Sequence, residues 1–239
     1  MVTYVTAFIS NINDRPDRDT ERYLELATHL LSLPFPKVVF TESKYSNFFR
    51  ENSQGNTQVI EFEKSDLLRY SQINKVELIL PGIRNISKDT REYMLLMSNK
   101  TFFTKLAIES NPFNTEKFVW VDIGIFHMLT DLEKNKPLFK SDFIFELGKV
   151  RAPGIWKYEY STNFDLFQQV NWLFAGSIFG GYSEDLLEFH EACFNQFDEN
   201  LELDKITWEV NLWAQVYAKN PEKFELYSSD HNSLIISNL

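Results

Sequence analysis

The chain carries a single cysteine, Cys193. That excludes an internal disulfide and any cysteine-built zinc site. It also lacks a cluster of lysine and arginine, and its formal net charge is −10. Proteins that grip a nucleic-acid backbone carry a basic face, so DNA, RNA and anionic lipid are not expected as bulk partners. The acidic residues are spread along the chain, as on an ordinary solvated surface, and a small anion can still bind in a local pocket. No run approaches the ~18 apolar residues of a membrane span, so no transmembrane segment is expected. The opening Met-Val-Thr-Tyr-Val-Thr-Ala-Phe has neither the basic nor the long apolar region of a signal peptide, and a cytoplasmic location is expected. Two glycosylation sequons, Asn85-Ile-Ser87 and Asn99-Lys-Thr101, are read as chance. Gly-x-x-x-x-Gly-Lys-Ser/Thr, Gly-x-Gly-x-x-Gly and Gly-x-Ser-x-Gly are all missing, which disfavours kinase, dehydrogenase and α/β-hydrolase chemistry.

What is present reads as globular α/β. The 239 residues are 44% hydrophobic and 24% charged, enough for a sizeable core. Residues 2–9 are β-branched and aromatic and predict a strand. Glu21 to Leu33 has apolar residues at helical spacing and stops at Pro34 and Pro36. Lys37 to Thr41 predicts a second strand, and strand–helix–strand at this length feeds a parallel sheet. Residues 58–62 suggest a third strand. Arg91 to Glu109 predicts one continuous helix. Phe118-Val-Trp-Val121 is the unbroken apolar run of a buried parallel strand. Residues 141–165 look irregular, and Val170 to Phe179 looks like an apolar segment broken by Ala175-Gly176. Helices are predicted over Ser183 to Phe197, with Ser183 as N-cap, and over Trp208 to Ala218. A short strand is predicted at Phe224 to Tyr227. Neither repeats nor a linker divide the chain, so one domain is expected.

Asp122 follows the buried run directly. A lone carboxylate inside the core is costly to desolvate. At the C-terminal end of a strand that cost disappears, and in open α/β sheets ligands bind at that edge. Gly124 permits a tight turn or a close backbone approach. A turn-capping role for Asp122 fits the residue type equally well. Glu209 opens a helix, where the helix dipole favours a carboxylate.

Several motifs together carry a resemblance. They are the helix with Asn99-Lys100 and Thr104-Lys105-Leu106, the run Phe118-Val-Trp-Val-Asp-Ile-Gly-Ile-Phe126, Val170-Asn171-Trp172, Phe174-Ala-Gly-Ser177 and Gly180-Gly181. With Thr3 to Phe8 and Phe40-Thr41-Glu42-Ser43, they resemble the HtrL/YibB (WlaTC-like) family. That family is found with surface-polysaccharide genes and is regarded as containing GT-A glycosyltransferases. The resemblance spans nearly the whole chain.

The resemblance implies an α/β fold with a GT-A-like, Rossmann-type mixed sheet flanked by helices, a single domain over residues 1–239. It implies a glycosyltransferase that moves a sugar from a nucleoside-diphosphate donor to a glycan hydroxyl. Residues 1–127 would form the donor half and 128–239 the acceptor half. Thr6, Ala7, Phe8, Lys105, Asp122, Ile123 and Gly124 would meet the donor. Ala175, Gly176 and Ser177 would meet the acceptor, with Gly180-Gly181 turning into the next helix. Glu209 and Asp122 would be the catalytic pair, with Glu209 as base on the acceptor hydroxyl or as a donor-aligning group. Asp122 and His231 would hold Mn²⁺ or Mg²⁺, with Asp230 as a weaker alternative. The sequence departs from the usual Asp-x-Asp, because Gly124 stands where the second acid would be. One carboxylate holds a hard cation weakly, so a metal-independent site also fits. Two other functions stay open. One is a degenerate, non-catalytic domain that binds a glycan or a protein. The other is a metal-dependent hydrolase using Asp122, His127 and His231.

Overall fold

The computed structural model describes residues 1–12 and 18–239. Among the described residues, seven strands make one sheet: β1 (Val2–Phe8), β2 (Lys37–Thr41), β3 (Thr57–Glu61), β4 (Lys117–Val121), β5 (Val150–Gly154), β6 (Ile178–Tyr182) and β7 (Phe224–Ser228). Their order is β3-β2-β1-β4-β6-β5-β7. β1 runs parallel to β2 and β4, and β2 to β3. β6 is antiparallel to β4 and β5, and β7 is parallel to β5. Among the described strands, β6 alone runs against the rest. The expected mixed sheet in a single domain is therefore the observed one.

Among the described residues, six longer helices cover the sheet: α1 (Thr20–Leu31), α2 (Ser46–Asn52), α3 (Arg91–Ser98), α4 (Lys100–Ser110), α5 (Ser183–Glu202) and α6 (Glu209–Lys219). Asp19 caps α1 by accepting from the Arg22 N–H, and Thr90 caps α3 by accepting from Tyr93, each satisfying a first-turn donor. Strand β4 shows how the layers form. Phe118 and Trp120 join a core with α3, α4, α5 and α6, while Val119 and Val121 join the core with α1 and α2 on the other face. Both faces are buried, which is why this strand reads as an unbroken apolar run. Each such large side chain contributes roughly 1.5–3 kcal/mol by burial.

Four expectations change. The single helix predicted over 91–109 is two, broken at Asn99. That residue's side-chain amide donates to the Leu95 carbonyl at 2.8 Å, and its oxygen accepts from the Leu68 N–H at 2.8 Å. A side chain that competes for backbone partners ends one helix and starts the next. Ser183 is the first residue of α5; the capping position belongs to Tyr182, without a side-chain bond. Strand β5 lies in the stretch read as irregular, because Val-Arg-Ala-Pro-Gly lacks the alternation that marks a strand. Gly180 and Gly181 sit inside β6. A Cβ on Gly180 would meet Phe145 at 2.8 Å and Val119 at 3.0 Å, so glycine there serves sheet packing rather than a turn.

Candidate active site

β1 lies between β2 and β4. The chain leaves β1 toward β2 and β3, then returns on the other side to β4. That reversal opens a crevice at the C-terminal ends of β1 and β4, where α/β sheets bind ligands. Asp122 is the first residue past β4, and its N–H donates to the Ser177 carbonyl at 2.8 Å. This bond extends the β4–β6 ladder by one step and brings the segment before β6 to the same edge.

The break at Asn99 starts α4 with Lys100, which points under the sheet edge. Its ammonium lies 2.9 Å from Asp122 Oδ1 and 3.1 Å from Oδ2. It donates to Glu209 Oε1 at 2.9 Å and to the Gly176 carbonyl at 2.8 Å. An ammonium has three N–H donors, and here three groups receive them. The Trp120 indole N–H donates to Asp122 Oδ1 at 2.8 Å. The exposure of these side chains is graded: Lys100 2%, Glu209 11% and Asp122 33%. Lys100 is thus the buried support, and the two carboxylates are the groups that can meet a ligand.

Desolvation alone would lower the Lys100 pKa, but Asp122 and Glu209 reverse the sign and hold it above its usual value. Burial pushes Asp122 upward against the opposing pull of Lys100 and the Trp120 N–H. Removing any member would leave buried charge without its partner, the costly case for an internal ion pair.

Glu209 opens α6, and two asparagines fix its surroundings. Asn211 donates to the carbonyls of Leu166 and Gln169, and its oxygen accepts from the Asn171 N–H at 2.7 Å. Asn171 in turn donates to Ser161 O and accepts from Leu173 N–H. Both asparagines are fully buried. They tie α6 to the irregular segment that delivers Gly176 and Ser177.

Two connected clefts meet at Asp122. A narrow one is lined by Ala7, Arg18, Tyr93, Trp120, Asp122 and Gly124. A wider one of 770 Å³ contains Arg84, Lys88, Asp122, Trp172, Glu209 and His231, in the size range of small-ligand sites. Arg18 is buried and its guanidinium lies 5.3 Å from the Tyr23 ring centre. Gly124 leaves room for this pair, since a Cβ there would meet Tyr23 at 2.9 Å.

Of the residues expected at the donor, Ala7, Asp122, Ile123 and Gly124 line the narrow cleft. Thr6 is buried, and its hydroxyl has no hydrogen-bond partner among the described residues. Phe8 packs in the opposite core against Tyr23, Tyr45 and Phe49. Their side chains do not reach the crevice, because alternate residues of β1 face alternate layers. Lys105 pairs with Glu191 on α5 at 3.1 Å, away from Asp122. Of the acceptor residues, Gly176 and Ser177 line the wide cleft, while Ala175 is core. His127 borders both clefts, and its Nδ1 meets the Gly124 carbonyl at 2.7 Å. A carbonyl only accepts, so Nδ1 carries the proton.

Lys100, Arg18 and Trp120 are among the site residues that sequence reasoning did not assign. Lys100 stood within the quoted Asn99-Lys100 motif. It lies five positions before Lys105, about 140° away around a helix, so the two lysines face different neighbours.

The donor set does not suit the Mn²⁺ or Mg²⁺ expected at Asp122 and His231. Hard divalent cations take several oxygens. Here both Asp122 oxygens already lie within 3.1 Å of the Lys100 ammonium, and Oδ1 also accepts from Trp120. His231 rests edge-on against Trp172, ring centres 4.6 Å apart, and partial desolvation lowers its pKa. Asp230 accepts from the His231 backbone N–H at 2.7 Å. Among the described residues, no group of three or more His, Cys, Asp or Glu could hold a metal ion.

The sequence matches, over residues 1–235, the family described as "Bacterial protein of unknown function (HtrL_YibB)". No curated protein matches it in sequence. The fold is similar to that of mouse xyloside xylosyltransferase 1 in its apo form. The TM-score is 0.50, with 95% of this chain and 84% of that chain covered, at 7% sequence identity. The chain therefore has the fold of a glycosyltransferase. Among the described residues, no helix is long and apolar enough to cross a membrane.

Proposed function

The chain belongs to the HtrL/YibB family, and we propose that it is a glycosyltransferase that moves a sugar from a nucleoside-diphosphate donor to a hydroxyl on a glycan. One observation carries the reading. Asp122 and Glu209, 87 positions apart in sequence, share the Lys100 ammonium where β1 and β4 open a ligand crevice. The similarity to a xylosyltransferase fold supports it at the level of the fold.

In this reading residues 1–127 carry the donor and residues 128–239 the acceptor. The nucleotide lies along the narrow cleft beside Ala7 and Gly124, and Arg18 faces the diphosphate. Asp122 accepts hydrogen bonds from sugar hydroxyls. The acceptor enters the wide cleft past Trp172, whose ring offers a stacking face. Glu209 takes the acceptor hydroxyl proton as the new carbon–oxygen bond forms. The bond from the anomeric carbon to the phosphate oxygen breaks, and the nucleoside diphosphate leaves with the electron pair. General-base help of this kind contributes about 10²–10⁴-fold. Lys100, being buried, positions both carboxylates and does not itself meet the sugar.

Titration calorimetry with UDP-, GDP- and TDP-sugars, followed by transfer assays with the donor that binds, tests this. Glu209→Gln is expected to keep donor affinity within about threefold and to lose about 10²–10⁴-fold in transfer. Asp122→Ala is expected to abolish both donor hydrolysis and transfer. Full transfer by Asp122→Ala, or no binding of any sugar nucleotide, defeats the reading.

A further inference from the structure

The positive charge at this site belongs to the chain itself. We propose that Lys100 occupies the place between the two carboxylates that a divalent metal would fill, and that the site works without one.

The geometry carries this in four steps. First, the Lys100 ammonium contacts Asp122, Glu209 and the Gly176 carbonyl within 3.1 Å, and these three acceptors use its three donors. It is a finished coordination sphere, built of oxygens like that of a hard cation. Second, the ammonium is fixed. α4 begins at this residue because Asn99 ends α3, and the side chain is 2% exposed. Third, the position that would supply a second acid is Gly124, and its empty side is taken by Tyr23 and Arg18. Fourth, a divalent ion on the Asp122 oxygens would lie beside the buried ammonium and be repelled by it. The charge of a bound diphosphate is then met by Arg18, which lines the narrow cleft. The proposal depends on the transferase reading only in naming the anion as a nucleoside diphosphate.

The Trp120 indole is a built-in reporter, since its N–H sits 2.8 Å from Asp122 Oδ1. A Mn²⁺ held by Asp122 would broaden that N–H signal beyond detection. The experiment is a Mn²⁺ titration of ¹⁵N-labelled full-length protein, with the indole signal assigned through Trp120→Phe, run with and without UDP. The expected result is a Trp120 signal that survives one equivalent of Mn²⁺ in both cases. By calorimetry, UDP affinity should be the same within about twofold in Mn²⁺ and in EDTA. Selective loss of the Trp120 signal below one equivalent, or a tenfold gain in UDP affinity with Mn²⁺, overturns the proposal. Lys100→Met supplies the converse. With the ammonium gone, two carboxylates face each other, and Mn²⁺ affinity should rise at least tenfold over wild type. A folded Lys100→Met without that gain also counts against the proposal, and if the variant does not fold the wild-type titration still decides. Failure of the transferase reading looks different. No nucleotide would bind in either buffer, while the Trp120 signal would still report on the metal.

Discussion

A methyl group at position 176 would lie 2.5 Å from Oε1 of Glu209. Glycine is needed there because the Glu209 carboxylate folds back over the chain to reach Lys100, whose ammonium also bonds the Gly176 carbonyl. The same Cβ would meet Val210 at 2.9 Å, so neither the start of α6 nor the loop can simply give way. Gly176→Ala is therefore expected to push Glu209 off its position by about 1 Å. A misplacement of that size costs about a hundredfold in rate, with an overpacking cost to stability of ~1–3 kcal/mol. Transfer kinetics and chemical denaturation check this. Donor affinity should change little, because the proposed donor site lies on the Asp122 side.

Arg18 supplies the second prediction. It is buried, it lies over the Tyr23 ring, and it borders the cleft that contains Asp122. Hydrogen bonds to a charged group contribute about 1.5–3 kcal/mol, which corresponds to roughly 10–100-fold in affinity. Arg18→Ala should weaken nucleoside-diphosphate binding by that factor in calorimetry. Arg18→Lys should recover only part of it, since a lysine neither stacks nor forks as a guanidinium does. Unchanged UDP, GDP and TDP affinities in Arg18→Ala would remove Arg18 from the site.

Part of this architecture was legible before any coordinates. β1, β2 and β4 are apolar runs rich in β-branched and aromatic residues, so their strand character and parallel pairing follow from composition and connection length. Asp122 was legible for a related reason, as a carboxylate that ends such a run must sit at its edge. Glu209 could be placed because polar residues precede it and helical spacing follows. What was not legible depends on tertiary contacts. The Arg91–Glu109 pattern continues smoothly through Asn99, and the helix breaks there because that side chain bonds Leu68 and Leu95. Without the break, helix geometry gives no reason to choose Lys100 over Lys105. Strand β5 escaped notice because neighbouring strands, rather than its own residues, hold it in the sheet.

The choice between those lysines is itself testable. Lys105 is 27% exposed and pairs with Glu191 at the surface, and such pairs contribute less than about 1 kcal/mol. Lys105→Ala should leave donor affinity and transfer within about twofold of wild type and shift stability by no more than ~0.5 kcal/mol. A loss of donor affinity beyond tenfold would return Lys105 to the site.

His190 gives the fold an acid-sensitive point outside the two clefts. The ring is buried between Phe102 and Phe194, with centres 5.8 and 4.8 Å away, and its Nδ1 lies 3.4 Å from the Thr101 hydroxyl. Burial lowers its pKa to about 4, with Lys105 and Arg69 adding to the effect and Glu191 opposing it. The sign follows from proton binding. Between pH 6.5 and 4 the unfolded chain takes up a proton that the folded chain refuses, so stability falls as pH falls through that window. At pH 5 the loss comes to ~2 kcal/mol, and at pH 4 and below it tends to ~3 kcal/mol. Urea unfolding at pH 7.5 and pH 5.0 should show wild type losing about 2 kcal/mol more than His190→Leu over that interval. The comparison with the variant cancels the carboxylates common to both, Asp122 included. Equal losses in the two proteins would mean that His190 is protonated in the folded state at pH 5, and that the aromatic cage around it admits water.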